Sequence, residues 1–273
     1  MTSGYMKTND KAYLYYEDRG TGGDTILLVP GHMCTTKFYS KNVDVLAKHH
    51  RVVTFDNRGF GNSSKPLQGN DVERHADDIK ELIDYLNLEQ VILIGWSLSG
   101  SIVVTYADKY ACYHLKALGI LDACLFPFSP EPWNSYNSKN YNMDDWNRKY
   151  RLWYTEPERY IENFVNRVKE GLSEEDQSMV REEIGKTPPW IGFALHLDWC
   201  HSDCTGMLKR LPIPVIIFSG ESKGHSATMG TYYETLIPGY CEHHKFKEGG
   251  HMLFFIKYKE FNELLEKFIQ KIS

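Results

Sequence analysis

One stretch constrains this chain more than any other: Val91-Ile92-Leu93-Ile94-Gly95-Trp96-Ser97-Leu98-Ser99-Gly100-Ser101-Ile102-Val103-Val104. An apolar run stops at a glycine, presents one serine, passes further small residues and continues as helix. A buried strand that becomes a helix at once forces the chain through a very tight turn. Small residues two before and two after the serine, Gly95 and Ser99, let strand and helix approach without side-chain clash. The turn leaves the Ser97 hydroxyl exposed at the end of a sheet. The competing reading is an ordinary connection in which Ser97 caps the helix. Residues elsewhere in the chain decide between the two.

With 273 residues the chain can bury a sizeable core, as one large α/β domain or as a core with an inserted subdomain. A net charge of −5 argues against nucleic acid or an anionic membrane surface as the main partner. No apolar run approaches the roughly 18–20 residues that span a bilayer. The six cysteines are scattered and the N-terminus has no apolar signal-peptide core, so a reduced, cytoplasmic protein is expected. His196-Leu197-Asp198-Trp199-Cys200-His201-Ser202-Asp203-Cys204 carries metal-ligand residue types. It lacks a second Cys or His pair at zinc spacing, so no metal is expected.

Along the chain, Lys11–Asp18 alternates aromatic and polar residues and reads as an edge strand. Thr25–Pro30 is a continuous apolar strand ending at Gly31-His32-Met33, and Arg51–Asp56 is another, followed by a Gly/Asn/Ser turn. Asp71–Leu86 has helical apolar spacing. The Val91 strand, its helix and the Ala117–Asp122 strand follow, which implies a mostly parallel sheet with right-handed crossovers. From Ala123 to about Lys209 the regularity changes. That region holds five of the six tryptophans, and charge periodicity gives helices at 157–170 and 173–184. An insertion of this length predicts a helical cap, residues 127–209, on a core formed by 1–126 and 210–273. Strand and helix alternation resumes at Ile213–Gly220, then 229–236, 242–246 and 258–272.

Five segments now stand in order: Leu28-Val29-Pro30-Gly31-His32; Phe55-Asp56-Asn57-Arg58-Gly59-Phe60-Gly61-Asn62-Ser63; Gly95-Trp96-Ser97-Leu98-Ser99-Gly100; Pro214–Gly220; and Gly249-Gly250-His251-Met252. Together they resemble the α/β-hydrolase superfamily, in its capped esterase, lactonase and haloperoxidase-like branch. The resemblance covers nearly the whole chain apart from the cap. It implies that Ser97 is a nucleophile on the turn known as the nucleophile elbow, with Ser99 standing where the usual pattern has glycine. It implies His251 as the base, since the superfamily places that histidine last, and an oxyanion hole from the backbone amides of His32 and Leu98. No cofactor is expected. His49, His50, His75, His243 and His244 lie in charged surroundings and are expected to be solvated.

The acid is less plainly written. Its usual place, three residues past Gly220, holds Lys223, which cannot orient an imidazole. The superfamily's other location is the end of the preceding strand, where Asp122 stands; Glu221 is the alternative. The expected activity is hydrolysis of a small to medium carboxylic ester, lactone or thioester through an acyl-enzyme. Trp96, Met33, Phe126 and Met252 are expected near the pocket, and an aromatic cap suits an apolar acyl or ring group. The imidazole of His32 faces either the pocket or the surface. Two other enzyme classes share such a fold. Cofactor-free dioxygenases can carry a histidine where this chain has Trp96. Proline-type aminopeptidases would want acidic cap residues, with Glu131, Asp144 and Asp145 as candidates. A non-catalytic small-ligand receptor is the alternative of another kind.

Overall fold

A computed structural model describes residues 2–136, 142–221 and 227–273. Its centre is an eight-stranded sheet with strand order β1-β2-β4-β3-β5-β6-β7-β8. The strands are β1 (Thr2–Lys7), β2 (Tyr13–Arg19), β3 (Thr25–Val29), β4 (Arg51–Phe55), β5 (Val91–Trp96), β6 (Leu115–Leu121), β7 (Val215–Gly220) and β8 (Cys241–Phe246). The first two pairings are antiparallel and the rest parallel. Every residue of β3, β5 and β7 is buried, as continuous apolar runs covered on both faces must be. The expected edge strand at Lys11–Asp18 is instead second from the edge. Thr2–Lys7 pairs outside it, and with only Met6 buried that segment has no hydrophobic alternation to read.

Helices α1 (Ser40–Leu46), α2 (Val72–Tyr85) and α3 (Ser99–Lys109) flank the first half of the sheet. Asp71 caps α2 by accepting from the Arg74 amide at 2.7 Å. Between β6 and β7 stand α4 (Met143–Thr155), α5 (Pro157–Val168), α6 (Glu174–Gly185) and α7 (Pro189–His201), all within the stretch expected to be an insertion. Two of these, α5 and α6, match the predicted helices. Helix α7 packs against α2 and α4 and scatters its apolar residues around its axis, with His196, Asp198 and His201 among them, so no amphipathic period marks it in the sequence. Helices α8 (Thr228–Leu236), α9 (Leu253–Ile256) and α10 (Tyr258–Ile272) complete the chain.

Polar ties hold the inserted helices to the core. Trp199 Nε1 donates to Cys124 O at 2.9 Å, the Val72 amide donates to Asp198 Oδ2 at 2.8 Å, and Thr35 Oγ1 donates to Glu183 Oε2 at 2.8 Å. Close packing ties α4 to α7: a Cβ on Gly192 would lie 2.0 Å from the Trp153 ring.

Strand register decides what meets at the carboxyl edge. Val29 pairs with Gly95, Trp96 with Leu121, and Leu121 with Phe218. One residue further along each strand, the next row contains Ser97, Asp122 and Ser219, with Pro30 and Gly31 alongside. Residues far apart in sequence therefore share one rim.

Three histidines expected in solvent are buried instead. His75 is fully enclosed on α2, its ring 6.1 Å from that of Phe60. His50 is buried and reaches Glu266 Oε2 at 3.0 Å. The His243 side chain is almost fully buried, with Nε2 2.9 Å from Ser219 Oγ. Neighbouring charges made these positions look wet, but several of those charges, among them Asp78, Arg74 and Glu242, are themselves largely buried in ion pairs. Burial pushes the His75 pKa well below its ordinary value, helped by the cation of Arg58, and burial also brings His243 down to about 4. The unfolded chain takes up these protons near pH 6.5, whereas the folded protein does not. Their stabilising effect is therefore complete above that pH and declines as pH falls towards 4, by at most about 1.4 kcal/mol per pH unit for each histidine. Asp56, raised by burial to about 6, opposes the trend below that value. Urea unfolding at pH 7, 6 and 5 should show stability falling with acid, and His75→Leu should flatten the fall by up to one proton; an unchanged slope would contradict this account.

Candidate active site

Three polar groups leave three different strands and meet at the rim. Ser97 follows β5 at a φ of 59°, and its amide donates to Leu121 O at 2.9 Å. A left-handed conformation costs a non-glycine residue roughly 1–3 kcal/mol, so the surroundings must impose it. They do, because β5 and α3 touch. A Cβ on Gly95 would lie 2.2 Å from Ser99 O, and one on Gly100 would lie 2.3 Å from Ala123 Cβ. The helix-cap reading of Ser97 fails: Leu98 occupies the N-cap position of α3, with no side-chain cap.

Ser99, in the place of the usual glycine, has a second use. Its hydroxyl donates to Pro30 O at 2.5 Å, and Asn57 Nδ2 donates to the same carbonyl at 3.1 Å. These two donors fix the end of β3 just before Gly31-His32. Gly31 in turn lies close to the elbow, since a Cβ there would meet Ser97 Cβ at 3.1 Å.

Asp122 also stands at positive φ, 42°. Its amide donates to Phe218 O at 2.7 Å, and its Oδ1 accepts from the Gly220 amide at 2.8 Å. Oδ2 accepts from His251 Nδ1 at 2.6 Å, with the carboxylate side chain only 4% exposed. His251 sits in a short 3-10 turn, Gly250–Met252, entered through Gly249 and Gly250 at φ of 99° and 51°. Because a carboxylate only accepts, Nδ1 carries the ring proton and Nε2 is left as an acceptor, 2.9 Å from Ser97 Oγ. Trp96 Nε1 donates to His251 O at 2.9 Å and pins the histidine backbone from below. Glu221, the alternative acid, is exposed, while Asp122 already occupies His251 Nδ1. Lys223, the residue at the usual acid position, lies outside the described residues.

Among the described residues, the amides of His32 and Leu98 have no hydrogen-bond acceptor. Both belong to residues lining a cavity of about 540 Å³ that also receives Ser97 and His251. The inserted helices supply much of the remaining wall, including Tyr150, Tyr160, Phe164 and Trp199. His32 faces this cavity, which resolves the choice between pocket and surface. Its Nε2 donates to Gly192 O on α7 at 2.8 Å, and burial lowers its pKa to about 4, so the imidazole is neutral. The His196 ring lies 5.1 Å from it, held neutral by burial as well.

The other expected pocket residues lie elsewhere. Trp96 packs between Phe38 and Phe254, Met33 and Met252 are fully enclosed, and Phe126 is half-buried; none of the four lines the cavity. Being next in sequence to Ser97, His32 and His251 sends their side chains to the opposite side of each turn. Glu131, Asp144 and Asp145 do not line the cavity either. The residues of the former metal candidate, 196–204, spread around α7: His196 faces the cavity, Asp198 caps the start of α2, and Cys200 and Cys204 are buried. Lys149, Asn163 and Arg167 are lining residues that the sequence did not single out, because each belongs to a charged helix face indistinguishable from a solvated one.

A sequence model of the alpha/beta hydrolase fold matches residues 24–258. The AB hydrolase superfamily protein YisY of Bacillus subtilis is 32% identical over 142 residues, 52% of this chain and 53% of that protein. A putative non-heme chloroperoxidase of Synechocystis is 36% identical over 116 residues, 42% of this chain and 41% of that one. The matches span about half the length of these relatives, or less. An esterase from Exiguobacterium antarcticum superposes with a TM-score of 0.88 at 20% identity, over 98% of this chain and 100% of its own. The enol-lactonase from Burkholderia xenovorans LB400 does so at 0.80 and 18% identity, over 98% and 100%. At such identities these structures speak to the fold alone. The family match over most of the chain and the eight-stranded architecture agree, and the chain belongs to the α/β-hydrolase fold family.

Proposed function

We propose that this protein is a serine hydrolase of carboxylic esters, lactones or thioesters, acting through an acyl-enzyme under a cap formed by α4–α7. The observation that carries the reading is the unbroken chain Ser97 Oγ, His251 Nε2, His251 Nδ1, Asp122 Oδ2, with links of 2.9 and 2.6 Å. A serine hydroxyl is a poor nucleophile until a base takes its proton during attack. His251 Nε2 is placed to do so as Ser97 Oγ bonds to the substrate carbonyl carbon. The Asp122 carboxylate stabilises the resulting imidazolium and keeps the ring in the useful tautomer. The carbonyl oxygen, now negative, would sit between the amides of His32 and Leu98, where losing one donor typically costs about 2.7–4 kcal/mol. His251 then returns the proton to the leaving alkoxide or thiolate. Water, activated by the same imidazole, hydrolyses the acyl-enzyme and restores Ser97.

Two competitors lose support. An aminopeptidase needs carboxylates for a substrate amine, and the described cavity lining has none. A cofactor-free dioxygenase of the kind considered would carry histidine at position 96, where the indole is instead committed to the His251 carbonyl. The small molecule is the expected partner, and no helix among the described residues is long and apolar enough to cross a membrane. Six free cysteines, five of them buried, fit a reducing cytoplasm.

A fluorophosphonate probe should label Ser97, read by peptide mass spectrometry, and Ser97→Ala should abolish both labelling and p-nitrophenyl acetate turnover. Full turnover by Ser97→Ala would end the proposal. Asp122→Asn should lower kcat by about 10³–10⁴ with the fold intact, whereas Glu221→Gln should leave it unchanged; the reverse ranking would move the acid to Glu221.

A further inference from the structure

The walls of the cavity are electrically one-sided. Much of the lining is apolar or aromatic, and α4 and α5 contribute Leu152, Tyr160, Phe164 and Val168 to it. Two cations complete the lining, Lys149 on α4 and Arg167 on α5, together with the amide of Asn163. These three residues are solvent-exposed as well as cavity-lining, which places them at the mouth. No Asp or Glu belongs to the described lining. The undescribed residues 137–141 and 222–226, Asn-Ser-Lys-Asn-Tyr and Ser-Lys-Gly-His-Ser, contain none either. In a chain of net charge −5 this is a local reversal of sign.

Arg167 is the more telling of the pair. Among the described residues no carboxylate lies within ion-pairing distance of it, although most arginines in this protein have such a partner. Its guanidinium lies over the Phe164 ring, 5.3 Å from the centroid, a stacking that orients the fork of donors without consuming them. Its charge is felt inside the cavity, where it helps to keep His32 and His196 neutral. An arginine fork matches a carboxylate with two parallel hydrogen bonds. Lys149, one turn after the paired Asp145, adds a second positive charge beside the same opening.

The geometry points to an anion subsite at the cavity mouth: Arg167, supported by Lys149, selects substrates whose acyl part ends in a free carboxylate, separated by an apolar spacer from the ester, lactone or thioester carbonyl at Ser97. This rests on the serine hydrolase reading above and narrows its substrate to half-esters and related mono-anionic acyl compounds. The aromatic belt accommodates the spacer, and the cations receive the charge at the solvent-exposed mouth.

The test compares mono-p-nitrophenyl esters of adipic and suberic acid with their methyl-capped counterparts, which differ in charge at the far end. For the better-fitting chain length, kcat/KM of the free acid should exceed that of the capped ester by about tenfold, mostly through KM. The advantage should fall at least threefold in Arg167→Gln, be partly kept in Arg167→Lys, and shrink as salt rises from about 0.02 to 0.5 M. The ratio of the two substrates is the readout, so a general loss of activity in a variant does not disguise the answer. A ratio below about three at both chain lengths, or one unchanged in Arg167→Gln, overturns the anion subsite and leaves the hydrolase reading standing. Failure to turn over any of the four esters, with no fluorophosphonate label on Ser97, overturns the hydrolase reading instead.

Discussion

The contact on which the rest depends is the crossing of β5 and α3, where Gly95 faces the Ser99 backbone with no room for a Cβ. That crossing turns the chain so sharply that Ser97 is driven to positive φ. Strain of this kind persists only where neighbours over-determine it. Here the Leu121 carbonyl holds the Ser97 amide, and the buried strands on both sides hold Leu121. Asp122 repeats the arrangement one strand over, with its own positive φ and its amide tied to Phe218. Two strained residues in one row thus lean on the same parallel hydrogen-bond ladder. The sheet supplies the stiffness that keeps a hydroxyl, an imidazole and a carboxylate in line.

Parallel pairing also explains why distant residues had to meet. A strand row is set by register, and register here is set by continuous apolar runs buried on both faces. A slip of one residue in β6 would bring Leu121 or Ala123 to the position of Asp122 and leave His251 without its carboxylate. The fold and the chemistry therefore depend on the same hydrophobic pattern.

What could be read in advance follows from this. The core strands were legible because each is an uninterrupted apolar run ending at a small or polar residue, and the elbow because its glycine and serines have a steric purpose. Asp122 was named through the resemblance, as the residue at the end of the strand before the one ending at Gly220, and it stands within hydrogen-bond distance of His251. The pocket was not. Trp96, Met33 and Met252 stand beside Ser97, His32 and His251 in sequence and point the other way in space, into the core. Lys149 and Arg167 belong to amphipathic helices whose polar faces look alike whether they meet water or a ligand cavity. Helix α7, whose apolar residues are spread around its axis, gave no period. His75 and His243 looked wet because their sequence neighbours are charged, yet a helix or strand sends adjacent side chains to different faces.

The inserted helices and the sheet touch most intimately at His32, whose ring reaches up to Gly192 while its backbone belongs to the loop beside the elbow. One residue therefore senses both layers. Below it, the same loop is gripped at Pro30 by Ser99. In that slot a glycine would satisfy the demand for small size and nothing more. The serine satisfies it and also rivets α3 to the neighbouring loop, so that the spacing between the Ser97 hydroxyl and the His32 backbone is set by a single hydrogen bond two residues along the chain instead of by the packing of distant side chains.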